Sequence, residues 1–343
     1  MAPNSNRERS VPQPAQTKLL ICVWHPFDLW RPPASMADAI RARWPAMRVV
    51  HLPNYDRLEA ELPDTQIFVG YSIRAHQLSW ARQLRWIHST AAGVAQLTYP
   101  ALRESGIAVT NASGVHSIPI AEHVIGMLIS LARRFPDALR HQQEHRWAQQ
   151  EIWDSKPRPG ELHDSVLLLI GLGAVGKEIA QRAQAFGMKI HAVTRSGRGD
   201  TSLATKIYPA TELEAALAQA DYIVVAAPET PATHNLLGPR QFAAMKRSAY
   251  VVNVARGSLI DEAALAAALE NHHIAGAALD VAAEEPLPPA SPLWRLDNIL
   301  ITPHLAAASE HLWQRQTDLL LKNLELWFEG RDLINKVDFD RGY

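Results

Sequence analysis

The sequence predicts an α/β protein with two doubly wound parallel sheets. Three observations support this fold class. Short apolar runs alternate with segments that can form helices, and each run is apolar throughout, as in strands buried on both faces of a parallel sheet. The same alternation starts again after a polar, proline-rich break at 154–164, which is a candidate joint. The length of 343 residues suffices for two domains of ordinary size.

Five apolar runs predict the strands of the first sheet. Their positions are 18–24, 47–52, 66–71, 84–90 and 106–112. A long helix is predicted over 118–135, with Pro119 in its first turn. A proline is tolerated there because the backbone N–H that it lacks would have no partner within the helix.

Six further runs predict a second sheet with helices between its strands. The strands are expected at 165–170, 189–193, 221–227, 249–254, 274–281 and 298–302. The segment 261–271 is predicted to be one of the helices. A last helix over 312–330 follows the second sheet, and we expect it to pack back onto the first.

The composition excludes several classes of protein. Hydrophobic residues make up 47% of the chain and the net charge is −1, so the chain has material for a large core and no basic excess for nucleic acid. The single cysteine, Cys22, lies in an apolar run and is predicted to be buried. No apolar run approaches the roughly 18 residues that cross a bilayer. We therefore expect a soluble, cytoplasmic protein, with the polar residues 1–16 disordered.

A pair of histidines raises the question of a metal site. His141 and His145 stand four residues apart in a segment that can be helical, a spacing that can bind a metal ion. No third ligand accompanies them, so the sequence predicts a polar or interfacial helix face and no metal.

A glycine-rich segment follows the first strand of the second sheet. Gly171, Gly173 and Gly176 have G-x-G-x-x-G spacing, directly after an apolar run and at the start of a helix. In this context the first glycine makes a tight turn, the second admits a pyrophosphate and the third lets helix and strand pack closely. The N-terminal amides of the helix, including those of Ala174 and Val175, would face the phosphates. The segment predicts a dinucleotide site.

The end of the next strand bears on the choice of dinucleotide. An acidic residue that binds the ribose 2′-hydroxyl is expected about 20 positions after the glycines. Thr194 stands there instead, followed by Arg195, Ser196 and Arg198. Arginine and hydroxyl groups can bind a 2′-phosphate, so the sequence favours NADP over NAD. The alternative is that the arginines form a solvated surface turn and that NAD is used.

Three later stretches complete a pattern that resembles a known family. In the stretch 251–265, Arg256 follows an apolar run. In the stretch 278–288, Asp280 comes at the end of an apolar run and Glu285 follows shortly after. In the stretch 299–309, His304 follows an apolar run and a proline. With the segment 109–124 and the glycine loop, the chain resembles the D-isomer-specific 2-hydroxyacid dehydrogenase family, in particular its glyoxylate and hydroxypyruvate reductases. The resemblance covers nearly all of the chain after residue 16.

The resemblance implies a domain arrangement and an assembly. A flavodoxin-like substrate domain would comprise residues 17–115 and 305–343, and an inserted Rossmann domain that binds NAD(P) would comprise 116–304. The family also implies a homodimer built mainly through the cofactor domains.

The resemblance assigns three catalytic residues. His304 would exchange a proton with the substrate oxygen, and Glu285 would pair with that histidine. Arg256 would hold the carboxylate of a 2-oxo acid and polarise its ketone. Arg256 and His304 would thus also bind the substrate.

The resemblance also implies further binding residues. Asp280 would lie near the nicotinamide carboxamide. Outside the glycine loop and the 194–198 turn, it implies four more residues that bind the cofactor, namely Pro228, Thr233, Val254 and Ala255. Gly70, Tyr71, Ala92 and Gly93 would bind the substrate, the last two in the loop 89–97. This chain departs from the family pattern at Ala282 and Ala283, where an aromatic and an acidic residue are common, and at Ala95, where an aspartate is common.

The leading hypothesis is an NAD(P)H-dependent oxidoreductase, NADPH favoured, that reduces a small 2-oxo acid such as glyoxylate or hydroxypyruvate to the D-2-hydroxy acid. One alternative is an NAD-linked dehydrogenase of another D-2-hydroxy acid such as 3-phosphoglycerate. Another is a nucleotide-sensing binding protein resembling the corepressors related to this family.

Overall fold

The computed structural model describes residues 12–339. The chain forms two compact units, one made of the residues up to Val115 and from Ser309 onwards, the other of His116–Ala308. Each unit is built on its own parallel sheet with helices on both sides. The predicted fold class is confirmed.

The first unit contains a five-stranded sheet in the order β2-β1-β3-β4-β5. This is the flavodoxin-like strand order, and all pairings are parallel. Its strands are β1 Lys18–Cys22, β2 Arg48–Leu52, β3 Ile67–Gly70, β4 Trp86–Ser89 and β5 Ala108–Thr110, and its first helices are α1 Ala34–Arg43, α2 Leu58–Glu61, α3 Ala75–Leu78 and α4 Pro100–Glu104.

The second unit contains a seven-stranded parallel sheet in the order β12-β11-β10-β9-β6-β7-β8. Its strands are β6 Val166–Ile170, β7 Lys189–Thr194, β8 Lys206–Pro209, β9 Tyr222–Val225, β10 Tyr250–Asn253, β11 Gly276–Leu279 and β12 Ile299–Ile301. Its helices are α5 Ser117–Ala132, α6 Phe135–Gln143, α7 Gln149–Asp154, α8 Ala174–Ala185, α9 Leu213–Leu217, α10 Pro239–Ala244 and α11 Glu262–Glu270. Counted from β6, this is the Rossmann order, whose direction reverses between β6 and β9.

The last helix, α12 Leu312–Phe328, belongs to the first unit. Its buried Leu320 and Leu324 pack with Leu19, Ile21 and Trp86 of the first sheet. The prediction that this helix returns to the first sheet is confirmed. Cys22 is also buried as predicted, and this burial raises the pKa of its thiol to about 12.

The structure corrects the expectation of disorder through residue 16. Pro14–Gln16 form a single 3-10 turn, in which Thr17 N–H donates to the carbonyl of Pro14. The Thr17 hydroxyl also donates to the Gln13 carbonyl at 2.8 Å, so the turn is bonded to the start of β1. Residues 1–11 lie outside the described part of the chain.

Two further expectations differ from the structure. The break at 154–164 is not a joint between units, because it connects α7 to β6 inside the second unit. The edge strand β8 has no counterpart among the predicted strands, since its four residues include only two large apolar side chains. None of the helices between residues 12 and 339 is long and apolar enough to span a bilayer.

Candidate active site

The glycine loop joins β6 to α8 at the point where the strand order reverses. Gly171 has a φ of 102°, in the left-handed region that favours glycine. A β-carbon on Gly171 would lie 2.7 Å from the Ala226 carbonyl oxygen, and one on Gly176 would lie 2.2 Å from the Gly171 carbonyl oxygen. The protein's own packing therefore requires both glycines.

Gly173 differs from its two neighbours. A β-carbon on Gly173 would meet no protein atom within 4 Å, and the residue is exposed at the start of α8. Gly173 is the N-cap residue of that helix and has no side chain that could cap it, so it leaves the first-turn amides of Ala174, Val175 and Gly176 uncapped. Open space above a glycine, next to uncapped amides, fits the close approach of a dinucleotide pyrophosphate.

The turn after β7 contains the residues predicted to distinguish the two dinucleotides. The Thr194 hydroxyl donates to the Arg198 carbonyl at 3.0 Å, and Gly197 between them has a φ of 70°. The side chains of Arg195, Ser196 and Arg198 are exposed. The turn is thus closed by the Thr194 hydroxyl and carries two exposed arginines and an exposed serine.

The nearest following carboxylate in the sequence, Asp200, is engaged within the same turn region. Its Oδ1 accepts from the Ser202 N–H at 3.0 Å and from the Ser202 hydroxyl at 2.6 Å. These hydrogen bonds lower the pKa of the Asp200 carboxyl, with a smaller contribution from the charge of Lys177. Asp200 is therefore an ionised group whose Oδ1 caps a local turn.

Pro228 and Thr233 lie in the loop after β9, the strand next to β6. The Thr233 hydroxyl donates to the Pro228 carbonyl at 2.8 Å and accepts from the Thr230 N–H at 2.8 Å. The loop is folded on itself around this hydroxyl, at the same edge of the sheet as the glycine loop.

Arg256 follows β10 in a loop that a buried asparagine organises. Asn253, 1% exposed, accepts from the Ala255 N–H at 3.0 Å and donates to the Arg256 carbonyl at 2.9 Å. The Arg256 side chain is exposed and donates from one Nη to the Ala255 carbonyl at 2.6 Å. Val254 is buried and Ala255 is half-buried beside it.

His304 and Glu285 lie together, as the family resemblance implies. His304 Nδ1 lies 2.7 Å from Glu285 Oε2, and the two side chains are 45% and 38% exposed. Glu285 Oε1 accepts from the Ala282 N–H at 3.1 Å, which orients the carboxylate. His304 has a left-handed backbone with a φ of 53°, an uncommon conformation for a residue other than glycine.

Asp280 is buried at the end of β11. It is 2% exposed, and both its oxygens accept hydrogen bonds from the loop after β12. Asp280 is thus a buried anchor for the loop that carries His304, and its expected position near a nicotinamide carboxamide stays a prediction.

The residues predicted to bind the substrate carboxylate lie in the first unit. Tyr71, 50% exposed, directly follows Gly70 at the end of β3, and Ala92 and Gly93 lie after β4. Gln96 braces this loop, since its Nε2 donates to the Tyr71 carbonyl at 3.0 Å and to the Gly93 carbonyl at 3.4 Å. The glutamine thus supplies a brace next to Ala95, where the family commonly has an aspartate.

Within the second unit, the structure brings Arg256, Glu285 and His304 to the loops at the carboxyl edge of the sheet, together with the predicted dinucleotide residues. Three residues that organise these loops were not predicted: Asn253, Thr302 and His123. Asn253 was recognisable from its place just before the arginine motif. The other two act through contacts made only in the folded chain.

Comparisons with known proteins agree with this architecture. The family model described as "D-isomer specific 2-hydroxyacid dehydrogenase, NAD binding domain" matches residues 125–306. A glyoxylate reductase from Thermofilum pendens is 30% identical over 335 residues, covering 96% of this chain and 93% of that protein.

Solved structures give the same result. A D-isomer specific 2-hydroxyacid dehydrogenase family protein from Aeromonas salmonicida is 33% identical with a TM-score of 0.79, covering 95% of this chain and 100% of that one. A family member from Xanthobacter autotrophicus, solved with NADPH and MES, is 27% identical with a TM-score of 0.81 and the same coverage. The chain described here belongs to the D-isomer-specific 2-hydroxyacid dehydrogenase family.

Proposed function

We propose that this protein reduces a small 2-oxo acid of the glyoxylate or hydroxypyruvate type to the D-2-hydroxy acid, with NADPH as the preferred hydride donor. The observation that carries the proposal is the His304–Glu285 pair at 2.7 Å, on the edge of the sheet where this fold places its ligands. The similarity to a protein named glyoxylate reductase supports the substrate class.

The hydrogen bond to Glu285 determines which ring nitrogen of His304 exchanges a proton with the substrate. A carboxylate can only accept, so Glu285 Oε2 takes the hydrogen bond from Nδ1–H. Proton transfer to the substrate is therefore assigned to Nε2, which has no hydrogen-bond partner among the described residues. Donation from Nε2 to the developing alkoxide turns an imidazolium into the neutral Nδ1–H tautomer, and Glu285 stabilises the imidazolium that precedes it.

Arg256 supplies the complementary charge. Within residues 12–339 its side chain makes one hydrogen bond, to the Ala255 carbonyl, so the guanidinium has further donors for a ligand. A planar guanidinium can bind a carboxylate through two parallel hydrogen bonds, or place one donor on the ketone oxygen where negative charge develops. The bonds from Asn253 hold the backbone on both sides of this residue.

The glycine loop, the 194–198 turn and the Pro228–Thr233 loop would hold the dinucleotide. When bound, NADPH supplies the hydride for the reduction. The uncapped amides at the start of α8 suit the pyrophosphate, and Arg195, Ser196 and Arg198 suit the 2′-phosphate. The similar structure solved with NADPH supports this choice of cofactor.

The test is a set of NAD(P)H oxidation assays with glyoxylate, hydroxypyruvate and larger 2-oxo acids. We expect turnover with NADPH and the small acids, and a loss of kcat of about 100-fold to 10,000-fold in His304→Gln because the general acid is removed. His163→Gln is the matched control: His163 Nε2 lies 3.5 Å from Asp164 Oδ2, yet the residue is exposed and precedes β6, whereas the glycine loop follows the other end of that strand.

These assays, together with an NAD-reduction assay on 3-phosphoglycerate, separate the alternatives. Oxidation of 3-phosphoglycerate with NAD, in preference to every 2-oxo acid reduction, would identify an NAD-linked dehydrogenase. Tight NADPH binding with no turnover of any acid would identify a nucleotide-sensing binding protein. Turnover that survives in His304→Gln would contradict the proposed acid–base role.

We also propose that the protein is a homodimer that associates through its second unit. Support comes from exposed apolar side chains on and after α6: Phe135 and Leu139 stand four residues apart on the helix, and Trp147 is 95% exposed. Light scattering should give the dimer mass, and Leu139→Lys combined with Trp147→Arg should give the monomer mass. Phe186→Lys, at an exposed apolar position after α8, is the control.

A further inference from the structure

Asp280 is a buried carboxylate with a specific set of donors. Oδ1 accepts from the Thr302 hydroxyl at 2.6 Å and from the Leu305 N–H at 2.8 Å, and Oδ2 accepts from the Ala306 N–H at 2.9 Å. A charged group that is 2% exposed is costly unless donors replace its lost hydration. All three of these donors belong to the loop that carries His304.

His123 is the outermost member of this network. It lies on α5, and its Nε2 is 3.0 Å from Thr302 Oγ1 and 3.6 Å from Asp280 Oδ1. The Thr302 hydroxyl has one proton, which it gives to Asp280, because a carboxylate can only accept. Thr302 Oγ1 must therefore accept from His123, and Nε2 must be the protonated nitrogen.

The network ends at a strained backbone. The His304 N–H donates to the Asp280 carbonyl at 2.8 Å, and the next two N–H groups donate to the Asp280 carboxylate. His304 itself has a φ of 53°. A left-handed conformation at such a residue is unfavourable and persists only when its surroundings hold it. Asp280 supplies those surroundings, and Thr302 and His123 orient Asp280.

We propose that His123 is a positioning residue for the reaction. It donates to Thr302, Thr302 donates to Asp280, and Asp280 holds the loop in the conformation that places the His304 ring against Glu285. The proposal rests on the proposed function for its effect on turnover. Its effect on the loop does not depend on that function.

The first test removes the donor at position 123 without changing the loop sequence. His123→Leu should lower kcat about 10-fold to 100-fold, as expected for a lost hydrogen bond to a charged network, while KM for the 2-oxo acid changes much less. His123→Gln should recover most of kcat, because its Nε2 can donate to Thr302 in place of the imidazole. The control is His163→Leu, an exposed histidine before β6 whose Nε2 lies 3.5 Å from Asp164 Oδ2.

The second test reads the loop directly. Hydrogen exchange at the amides of Leu305 and Ala306 should be about ten-fold faster in His123→Leu, because local opening becomes easier when the acceptor is less well held. Thr302→Val should have the same effect and Thr302→Ser should not. This measurement needs no substrate, so it tests the positioning role even if the wild-type protein reduces none of the acids.

The outcomes are distinct. Wild-type kcat and unchanged exchange at Leu305 and Ala306 in both His123→Leu and Thr302→Val would overturn the proposal. Faster exchange with loss of kcat, and recovery of both in His123→Gln, would support it. Absence of wild-type turnover with any acid would instead contradict the proposed function. If His123→Leu does not fold, Thr302→Val against Thr302→Ser provides the same comparison.

Discussion

Gly257 lies directly against the peptide group that joins Ala282 to Ala283. A β-carbon on Gly257 would be 1.9 Å from the Ala282 carbonyl carbon and 2.2 Å from the Ala283 nitrogen. The loop that carries Arg256 and the loop that carries Glu285 are therefore packed backbone to backbone. The Ala283 N–H also donates to Glu262 Oε1 at 2.6 Å, which connects the second loop to the start of α11.

This contact predicts a severe effect of Gly257→Ala. The methyl group can be accommodated only if the two loops separate, and overpacking of this kind costs about 1–3 kcal/mol. We expect a lower melting temperature and a large loss of kcat/KM, because Arg256 and Glu285 would both be displaced. Thermal unfolding and steady-state kinetics measure the two effects.

Gly126→Ala is the matched control. Gly126 lies inside α5, and a β-carbon there would meet no atom within 4 Å. Alanine in a helix is favoured over glycine by about 1 kcal/mol, so this variant should be slightly more stable and fully active. Equal behaviour of the two variants would contradict the packing argument.

The glycine loop predicts two different phenotypes for the same substitution. Gly176→Ala should destabilise the fold, because its β-carbon would lie 2.2 Å from the Gly171 carbonyl oxygen. Gly173→Ala should fold normally, because its β-carbon would meet no protein atom, yet it should weaken dinucleotide binding at least about ten-fold by blocking the close approach of the pyrophosphate. Calorimetric titration with NADPH and thermal unfolding separate the two. A Gly173→Ala protein that binds NADPH normally would show that the phosphates lie elsewhere.

The architecture could be predicted because its signals are local. A strand such as β6 Val166–Ile170 is a continuous apolar run, and the glycines that follow it have positions set by the turn and by close packing. The pairing of His304 with Glu285 was predicted from the family resemblance. Sheet geometry alone indicates only that both residues lie at the same carboxyl edge of one parallel sheet.

The hydrogen-bond partners of the buried polar groups could not be predicted in this way. Asp280 receives its donors from residues more than 20 positions away, and His123 reaches Thr302 across a separation of 179 residues. No periodicity specifies which donor a buried carboxylate will meet. The hydrogen bond from Gln96 to the Tyr71 carbonyl was not predicted either. The family commonly has an aspartate at the position of Ala95, and in this chain the next residue braces the loop instead.

His88 predicts a dependence of stability on pH in the first unit. It is fully buried on β4, Nδ1 lies 2.8 Å from Thr110 Oγ1, and burial lowers the pKa of the imidazole to about 4. In the unfolded chain the pKa of this histidine is near 6.5, so between pH 4 and pH 6.5 the unfolded chain binds the proton more readily than the folded protein does. The contribution of neutral His88 to stability is therefore fully present above pH 6.5. The free energy of unfolding decreases as the pH falls toward 4, by about 3 kcal/mol once His88 is protonated in both states.

The corresponding variant is His88→Asn, whose Oδ1 can accept from the Thr110 hydroxyl but which does not titrate. Urea unfolding of both proteins at pH 7 and pH 5 gives the comparison. The wild type should lose more stability than the variant on acidification, because carboxylate titration is common to both. Equal losses would show that His88 is protonated in the folded protein as readily as in the unfolded chain.

The last prediction concerns the turn after β7 and the choice of dinucleotide. Arg195 and Arg198 are exposed on a turn that the Thr194 hydroxyl closes, in the place where an acidic residue would bind a ribose 2′-hydroxyl. If they bind the 2′-phosphate, Arg195→Ala should raise KM for NADPH about 10-fold to 100-fold and leave KM for NADH nearly unchanged, since only NADPH has that phosphate. Arg198→Ala should act in the same direction, and Thr194→Asp should reverse the preference by repelling the phosphate.

Arg240→Ala controls for a general loss of positive charge, because Arg240 is an exposed arginine paired with Glu214 on α9 of the same unit. Kinetics with both dinucleotides at low and moderate salt would also detect the expected weakening of a charge-dependent contact. A wild-type enzyme that uses NADH more efficiently than NADPH would contradict the cofactor proposal. So would an Arg195→Ala variant with an unchanged NADPH preference, since the turn would then be a solvated surface feature rather than a phosphate site.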